Sequence, residues 1–416
     1  MDKIIVEGGR KLHGEVENSG AKNSALPLLF ATLLADGEHV LDNVPNLKDI
    51  ESTIELLENL GCKIRREGHR VIINSQPSKV IEAPYDIVRK MRASILCLGP
   101  LLGRRQKARV SLPGGCAIGT RPIDIHIEGM KALGSAINVD AGYVEAEAKR
   151  LNGATILFDS PTVGGTENIM MAAVLASGKT VIENAAKEPE IVDLADFLNK
   201  MGAKVTGAGT SIVTIEGVSK LHPAHHTVIP DRIEAGTLII AGAITGGAVT
   251  VKKCRPDHLE ALVAKMRECG FKMEVGETEI KVNECNEWQG VDVTTAPHPA
   301  FPTDLQAQFM ALMSVASGVS VITETIFENR FMHVQELTRL NADITPKTRV
   351  AIVRGKANSL VGAPVMATDL RASACLVIAG LVAKGKTEVN RIYHLDRGYE
   401  NMEKKLASLG AAVKRV

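Results

Sequence analysis

Two kinds of apolar segment alternate along the chain. One kind is apolar on almost every side, as in SALPLLFATLLA (24–35) and TLIIAGAITGG (237–247). A helix of that composition has no face to offer water and belongs in an interior. The other kind, such as DIESTIELLENL (49–60), places apolar residues at helical spacing on one face and acids on the other, so it lies outside. Short alternating runs such as SIVTIEGV (211–218) read as half-buried strands. The pattern predicts helices at the centre of each domain and strands around them.

The pattern also repeats. ELLENLGCKI returns as GMKALGSAI, FLNKMGAKV, KMRECGFKM, ELTRLNADI and KLASLGAAV, with its key position at Gly61, Gly134, Gly202, Gly270, Asn341 and Gly410. Successive spacings are 73, 68, 68, 71 and 69 residues, a regularity expected of repeated supersecondary units. Asn341 stands where the others have glycine and can still take the left-handed conformation. Before each marker an apolar helix meets a glycine and then a strand, as in LLADGEHVLDNV and VLASGKTVIENA. Glycine suits a helix C′ position. Each unit thus reads as apolar helix, strand, amphipathic helix and two strands, giving an α/β fold of six βαβαββ-type repeats. The chain ends one strand short of a full repeat, and the N-terminal KIIVEGG resembles the closing strand of the third. That assigns residues 21–229 to one three-repeat domain, and 1–20 with 230–416 to the other. The two crossovers, near Ser19–Gly20 and Val228–Pro230, are how a hinge-closing protein is built.

Composition narrows the class. With 45% apolar residues and a net charge of +1 over 416 residues, the chain reads as a globular protein rather than a nucleic-acid-coating one. One Trp, four Tyr and eight Phe leave little for base stacking. No apolar run reaches the ~18 residues of a membrane span, and MDKIIVEGGRKLHGEV has no apolar signal region. Seven cysteines without a CxxC pair fit free thiols in a reducing cytoplasm.

Candidate chemistry stands out where the repeats differ. From Gly103 to Gly134 is 31 residues, against 24 from Gly37 to Gly61, so about seven are inserted in the second repeat. The inserted loop is PGGCAIGTRP, which carries Cys116 on an addition to the scaffold. Cys97 and Cys375 lie inside apolar helices and read as core. Lys22, Arg92, Arg232, Asp304 and Arg371 fall at the starts of the apolar helices, and Arg121, Arg330 and Arg397 on strand-to-helix loops of the same rim. Helix starts already favour anions, so this rim predicts a cationic cleft for a small ligand bearing phosphate or carboxylate. GLVAKGKT (380–387) matches a P-loop pattern but runs from helix into strand, the wrong order. HPAHH (222–226) lacks partner ligands at zinc spacing and reads as a solvated interdomain linker. His126 and His394 read as satisfied polar residues.

GAKNSALP, KMRASI, LPGGCAIGTRPID, ENAAKEPEIVD, HPAFPTDLQAQF, FENRFMH, ATDLRAS and RIYHLDRGYE together resemble the UDP-N-acetylglucosamine enolpyruvyl transferases along nearly the whole chain. The resemblance implies a two-domain inside-out α/β barrel with no metal or organic cofactor. It implies transfer of the enolpyruvyl group of phosphoenolpyruvate to the 3′-hydroxyl of UDP-N-acetylglucosamine, the first committed step of peptidoglycan precursor synthesis. Cell-wall biogenesis, cell shape, cell cycle and cell division would follow from that step. Cys116 would be the general acid at the methylene carbon of phosphoenolpyruvate, and the thiol alkylated by fosfomycin. Lys22, Arg121 and Arg397 would bind the phosphate and carboxylate of the donor, assisted by Arg371, with Arg330 on the same rim. Asn23, Arg92, the run Arg121, Pro122, Ile123, Asp124 and Ile125, and Ile326 would contact the UDP-sugar. So would Pro161, Thr162, Val163 and Gly164. Asp304 would orient or deprotonate the accepting hydroxyl. Gly165 departs from the alanine common after the Val-Gly pair. The sister reaction on shikimate 3-phosphate and a silent UDP-sugar-binding paralogue are the alternatives. The PGGCAIG loop and RPIDI run weigh against the first, and the set Lys22, Cys116, Asp304 and Arg397 against the second.

Overall fold

The computed structural model describes residues 2–112 and 123–416. It contains six four-stranded sheets of one topology. In the third repeat, strand Thr155–Leu157 runs parallel to Lys179–Glu183, which pairs antiparallel with Ile212–Glu216, and Lys204–Thr206 closes the far side. The helix Val163–Ala173 joins the first two strands, and Pro189–Lys200 leads to the third. This is the βαβαββ unit that the alternation of apolar and amphipathic segments predicts.

Three repeats borrow a strand from elsewhere in the chain. Ile4–Glu7 pairs with both Lys386–Asn390 and Ala412–Arg415, filling the closing-strand place of the sixth repeat. His13–Glu17 runs parallel to Ala248–Lys252 as the opening strand of the fourth. His225–Thr227 does the same for the first, beside Gly37–Asp42. The HPAHH segment is therefore not a solvated linker. Its second half is an edge strand, and His226 is 5% exposed. Period-2 alternation is too short to read over three residues, which is why the strand was invisible in the sequence.

The chain divides into two compact units, residues 20–112 with 123–229, and residues 2–19 with 230–416. Each has its own apolar core. In the first unit, helices Lys22–Ala31 and Val163–Ala173 and the segment from Arg92 through Leu98–Arg105 form the centre, and every residue from Ser24 to Leu34 is buried. In the second, helices Arg232–Ile244, Gln306–Met313 and Leu370–Gly380 pack against one another. The sheets cover them with alternating buried and exposed positions.

The marker in the second repeat shifts. Gly103 lies inside helix Leu98–Arg105, where an added Cβ would stand 3.1 Å from the Ala172 carbonyl oxygen of the neighbouring helix. The left-handed residue that ends this helix is Gln106, with φ of 63°. Counted from there, 28 positions (106 to 134) separate the markers, so the insertion is about four residues rather than seven. Asn341 takes the left-handed conformation expected of it, with φ of 72°.

Candidate active site

In the first unit, Lys22 opens its central helix, and its Nζ donates to Asp49 Oδ2 at 3.0 Å. Asp49 is buried in the first turn of the outer helix Lys48–Asn59. An acid there is ordinary matching of the helix dipole, so nothing in the sequence marks it as a partner. Asn23 follows, half-buried. Ser24 donates to Asp193, which also accepts from His226 Nε2 at 2.8 Å. Lys200 Nζ lies within hydrogen-bond distance of His226 Nδ1, at 2.9 Å.

A second group in this unit gathers where the outer helix Asp124–Ala132 meets the start of Val163–Ala173. Asn168 is the hub: its Oδ1 accepts from Gly99 N at 2.7 Å, and its Nδ2 donates to Ile95 O and to His126 Nδ1 at 2.9 Å. Burial pushes the His126 pKa down to about 4, with the Arg92 charge adding to it, so this imidazole is neutral at pH 7. Thr162 caps the helix, accepting from Gly165 N at 3.3 Å. A Cβ on Gly165 would lie 2.5 Å from Thr162 Cγ2 and 3.1 Å from Ile125 Cγ2, and one on Gly164 would lie 3.4 Å from His126 Cε1. Ile125, Thr162 and Gly164 thus come together with His126. Val163 and Ile123 are half-buried beside them, while Pro161 and Asp124 are exposed. Cys116, Arg121 and Pro122 lie outside the described residues.

The second unit holds the candidate base. Asp304 sits in the tight turn Thr303–Leu305 that leads into the helix Gln306–Met313. Its Oδ1 accepts from Arg330 Nη2 at 3.0 Å and its Oδ2 from Arg371 Nη2 at 2.7 Å. Both guanidinium groups are buried, at 4% and 5% side-chain exposure, while the carboxylate keeps 25%. Burial opposes the charge of Arg371, but Asp304, Tyr399 and Asp231 outweigh it and hold its pKa above the usual guanidinium range. Arg330 and Arg371 each keep a buried Nη1 with no hydrogen-bond partner among the described residues. They also lie over the rings of Phe327 and Tyr399, at 5.1 and 5.3 Å, contacts that favour a buried cation. Asp369 caps the Arg371 helix through the N–H groups of Arg371 and Ala372. Arg397 ends the short helix Ile392–Arg397 and, after burial itself, is the next cause lowering the His394 pKa. Ile326 stands in the loop before Arg330, half-buried.

Sequence reasoning passed over Asp49, Asp193, Asn168, Asp369 and Tyr399, which hold neighbouring side chains or backbone groups in place. Among the described residues no three His, Cys, Asp or Glu side chains come together as a metal site would. No helix among them is long and apolar enough to cross a membrane.

Residues 6–406 match the sequence profile of EPSP synthase (3-phosphoshikimate 1-carboxyvinyltransferase). The UDP-N-acetylglucosamine 1-carboxyvinyltransferase of Bdellovibrio bacteriovorus is 65% identical over 413 residues, 99% of this chain and 100% of that protein. The protein of the same name from Myxococcus xanthus is 56% identical over 420 residues, 100% of this chain and 99% of its own. Among solved structures, the enolpyruvyl transferase NikO from Streptomyces tendae superposes with a TM-score of 0.90 at 25% identity, covering 100% of this chain and 99% of its own. An EPSP synthase from Acinetobacter baumannii, at 16% identity and a TM-score of 0.77 over the full length of both chains, shares the fold.

Proposed function

The chain belongs to the EPSP synthase family, and from that premise we propose that it transfers the enolpyruvyl group of phosphoenolpyruvate to the 3′-hydroxyl of UDP-N-acetylglucosamine, releasing phosphate. The observation that carries this is 65% identity along essentially the whole length with a UDP-N-acetylglucosamine 1-carboxyvinyltransferase. The solved EPSP synthase, at 16% identity, speaks to fold alone, so the acceptor is argued from the closer relatives.

The chemistry explains why such a site is built. Phosphate must leave C2 of an enol, a carbon that is not electrophilic until C3 takes a proton. The acceptor oxygen then adds to C2 and its own proton goes to a base. Loss of phosphate and of one C3 proton restores the double bond. One C–O bond forms, one breaks, and no electrons change hands. An acid, a base and cations for the donor are sufficient.

Asp304 is the base in this scheme. Two charge-assisted bonds fix its position, and its partial exposure brings it within reach of an acceptor hydroxyl. Arg330 and Arg371, with spare donors, suit the phosphate and carboxylate groups of the substrates. Lys22, Arg121 and Arg397 bind phosphoenolpyruvate. Asn23, Arg92, residues 121–125, residues 161–164 and Ile326 contact the UDP-sugar. Cys116 is the acid, and its thiolate opens the epoxide of fosfomycin. Burial pushes the Cys254 pKa up to about 11 and those of Cys97 and Cys269 to about 12, so these thiols are poor competitors for the epoxide. Peptide mass spectrometry after fosfomycin treatment should therefore find the adduct on Cys116. An adduct confined to any other cysteine refutes the assignment. The product is a peptidoglycan precursor made in the cytoplasm, with the consequences for cell shape and division that this step carries.

Phosphate release, measured with phosphoenolpyruvate and either UDP-N-acetylglucosamine or shikimate 3-phosphate, tests the function. Turnover with the first acceptor alone is expected. Turnover only with shikimate 3-phosphate, or with neither, overturns it.

A further inference from the structure

Glu324 takes no part in the chemistry above, yet four donors meet its carboxylate beside the Asp304 turn. It ends the loop-side of strand Gly318–Thr323 and is 1% exposed. Its Oε1 accepts from Thr295 Oγ1 at 2.9 Å, Ile326 N at 2.8 Å and Phe327 N at 3.2 Å. Its Oε2 accepts from Thr303 Oγ1 at 2.8 Å. Thr295 Oγ1 in turn accepts from Thr325 N at 3.0 Å, so the same node fixes three consecutive loop residues.

The two ends of this node lead to different parts of the site. Thr303 precedes Asp304 in the same tight turn. Ile326 and Phe327 begin the loop that delivers Arg330 to Asp304 Oδ1, and the Phe327 ring lies under the Arg330 guanidinium. A carboxylate with four donors at 2.8–3.2 Å is a rigid reference point, because charge-assisted bonds are about twice as strong as neutral ones. A purely apolar packing would leave the Ile326 and Phe327 N–H groups to find other acceptors, and the loop with them.

We propose that Glu324 is a positioning residue that locks the acceptor-binding loop at Ile326 and the Asp304 turn into one register. The proposal rests on the function given above, since it assigns Ile326 to the UDP-sugar and Asp304 to its hydroxyl. Misplacing such groups by about 1 Å is enough to cost up to ~10²-fold in rate. Glu324 therefore governs both acceptor affinity and turnover through backbone it never shares with substrate.

Three variants separate its two arms. Glu324→Ala frees both and should raise KM for UDP-N-acetylglucosamine and lower kcat by roughly 10–100-fold each, with KM for phosphoenolpyruvate changed far less. Glu324→Gln keeps the shape and one acceptor oxygen, so it should recover much of both losses. Thr303→Val cuts only the arm to Asp304 and should lower kcat while leaving KM for the UDP-sugar near the wild-type value. Melting temperatures are recorded for all three. If Glu324→Ala fails to fold, the other two decide. A silent wild type condemns the function itself. An active wild type, with Glu324→Gln and Thr303→Val losing only stability or losing both constants in parallel, overturns the positioning role.

Discussion

Replacing Asp304 by asparagine keeps the shape of the side chain but removes the charge that two buried guanidinium groups share. One carboxylate oxygen becomes an NH2 group facing an arginine, so one charge-assisted bond, either 3.0 Å to Arg330 or 2.7 Å to Arg371, is lost outright. Such a bond contributes about 1.5–3 kcal/mol. Removing one partner of a fully buried ion pair costs about 3–5 kcal/mol. Asp304 keeps 25% of its side-chain surface, so water can approach and the cost falls below that range, toward the contribution of the bond itself. The expectation is a loss of roughly 2–3 kcal/mol in the unit that contains it. At about 2–4 °C per kcal/mol for a unit of this size, the melting temperature should fall by roughly 4–12 °C. Turnover should fall by ~10²–10⁴, as for a lost acid–base group. The two effects separate by ligand: inorganic phosphate can replace the missing charge, so it should raise the melting temperature of the variant more than that of the wild type. Differential scanning calorimetry with and without phosphate, beside a phosphate-free coupled assay of turnover, measures both. A variant that melts within about 1 °C of wild type refutes the charge-balancing role. Undiminished turnover refutes the role as base.

Two further outcomes follow from the geometry. Burial holds His39, His126 and His333 down to about 4, from an ordinary 6.5. Between those values the unfolded chain binds protons that the native one refuses, so stability falls as pH drops from 6.5 to 4, by up to about 1.4 kcal/mol per pH unit for each histidine. Urea midpoints at pH 7, 6 and 5 should show this slope, and His39→Leu should lessen it. An unchanged slope in that variant removes His39 from the account. Gly165→Ala gains helix propensity but pushes on Thr162 Cγ2 at 2.5 Å, so KM for UDP-N-acetylglucosamine should rise several-fold with little change in melting temperature. An unaltered KM shows that the cap turn yields without disturbing the sugar site.

Much of the fold was legible because its signal is periodic. Helices apolar all round, such as Ser24–Ala31, have only one place to go, and six markers about 70 residues apart state the repeat. The borrowed strands were harder. His225–Thr227 is three residues long and its pairing with Gly37–Asp42 spans most of a unit, so no local pattern announces it. Gly103 misled for a related reason: glycine there allows two helices to approach, while a glutamine, Gln106, takes the left-handed turn. At the site, the charged helix starts were visible because they break an otherwise apolar pattern. Their partners were not. Asp49 in a first helical turn and Asp369 at an N-cap sit where acids are common for local reasons, and only the tertiary contact with Lys22 gives Asp49 its role. Glu324 follows a strand, and its partners Thr295 and Thr303 come from other segments.

The placement of those helix-start charges runs against local stability. A helix N-terminus carries partial positive charge, so a cation there is disfavoured by about 0.3–1 kcal/mol and an acid favoured by as much. Lys22 and Arg232 are first residues of central helices, and Arg371 is the second of its own. Each is accommodated by an acid. Asp49 meets Lys22, Asp304 meets Arg371, and Asp231 and Asp369 cap the helices that hold Arg232 and Arg371 in their first turns. Had the chain needed only stable helices, the acids alone would have served. Cations retained at positive ends, with acids recruited to hold them, concentrate donors that a multiply charged anion can satisfy. Asp304 is the informative exception, an acid among cationic starts. Its two oxygens accept from Arg330 and Arg371, so the one acid in the set is itself held by two buried cations.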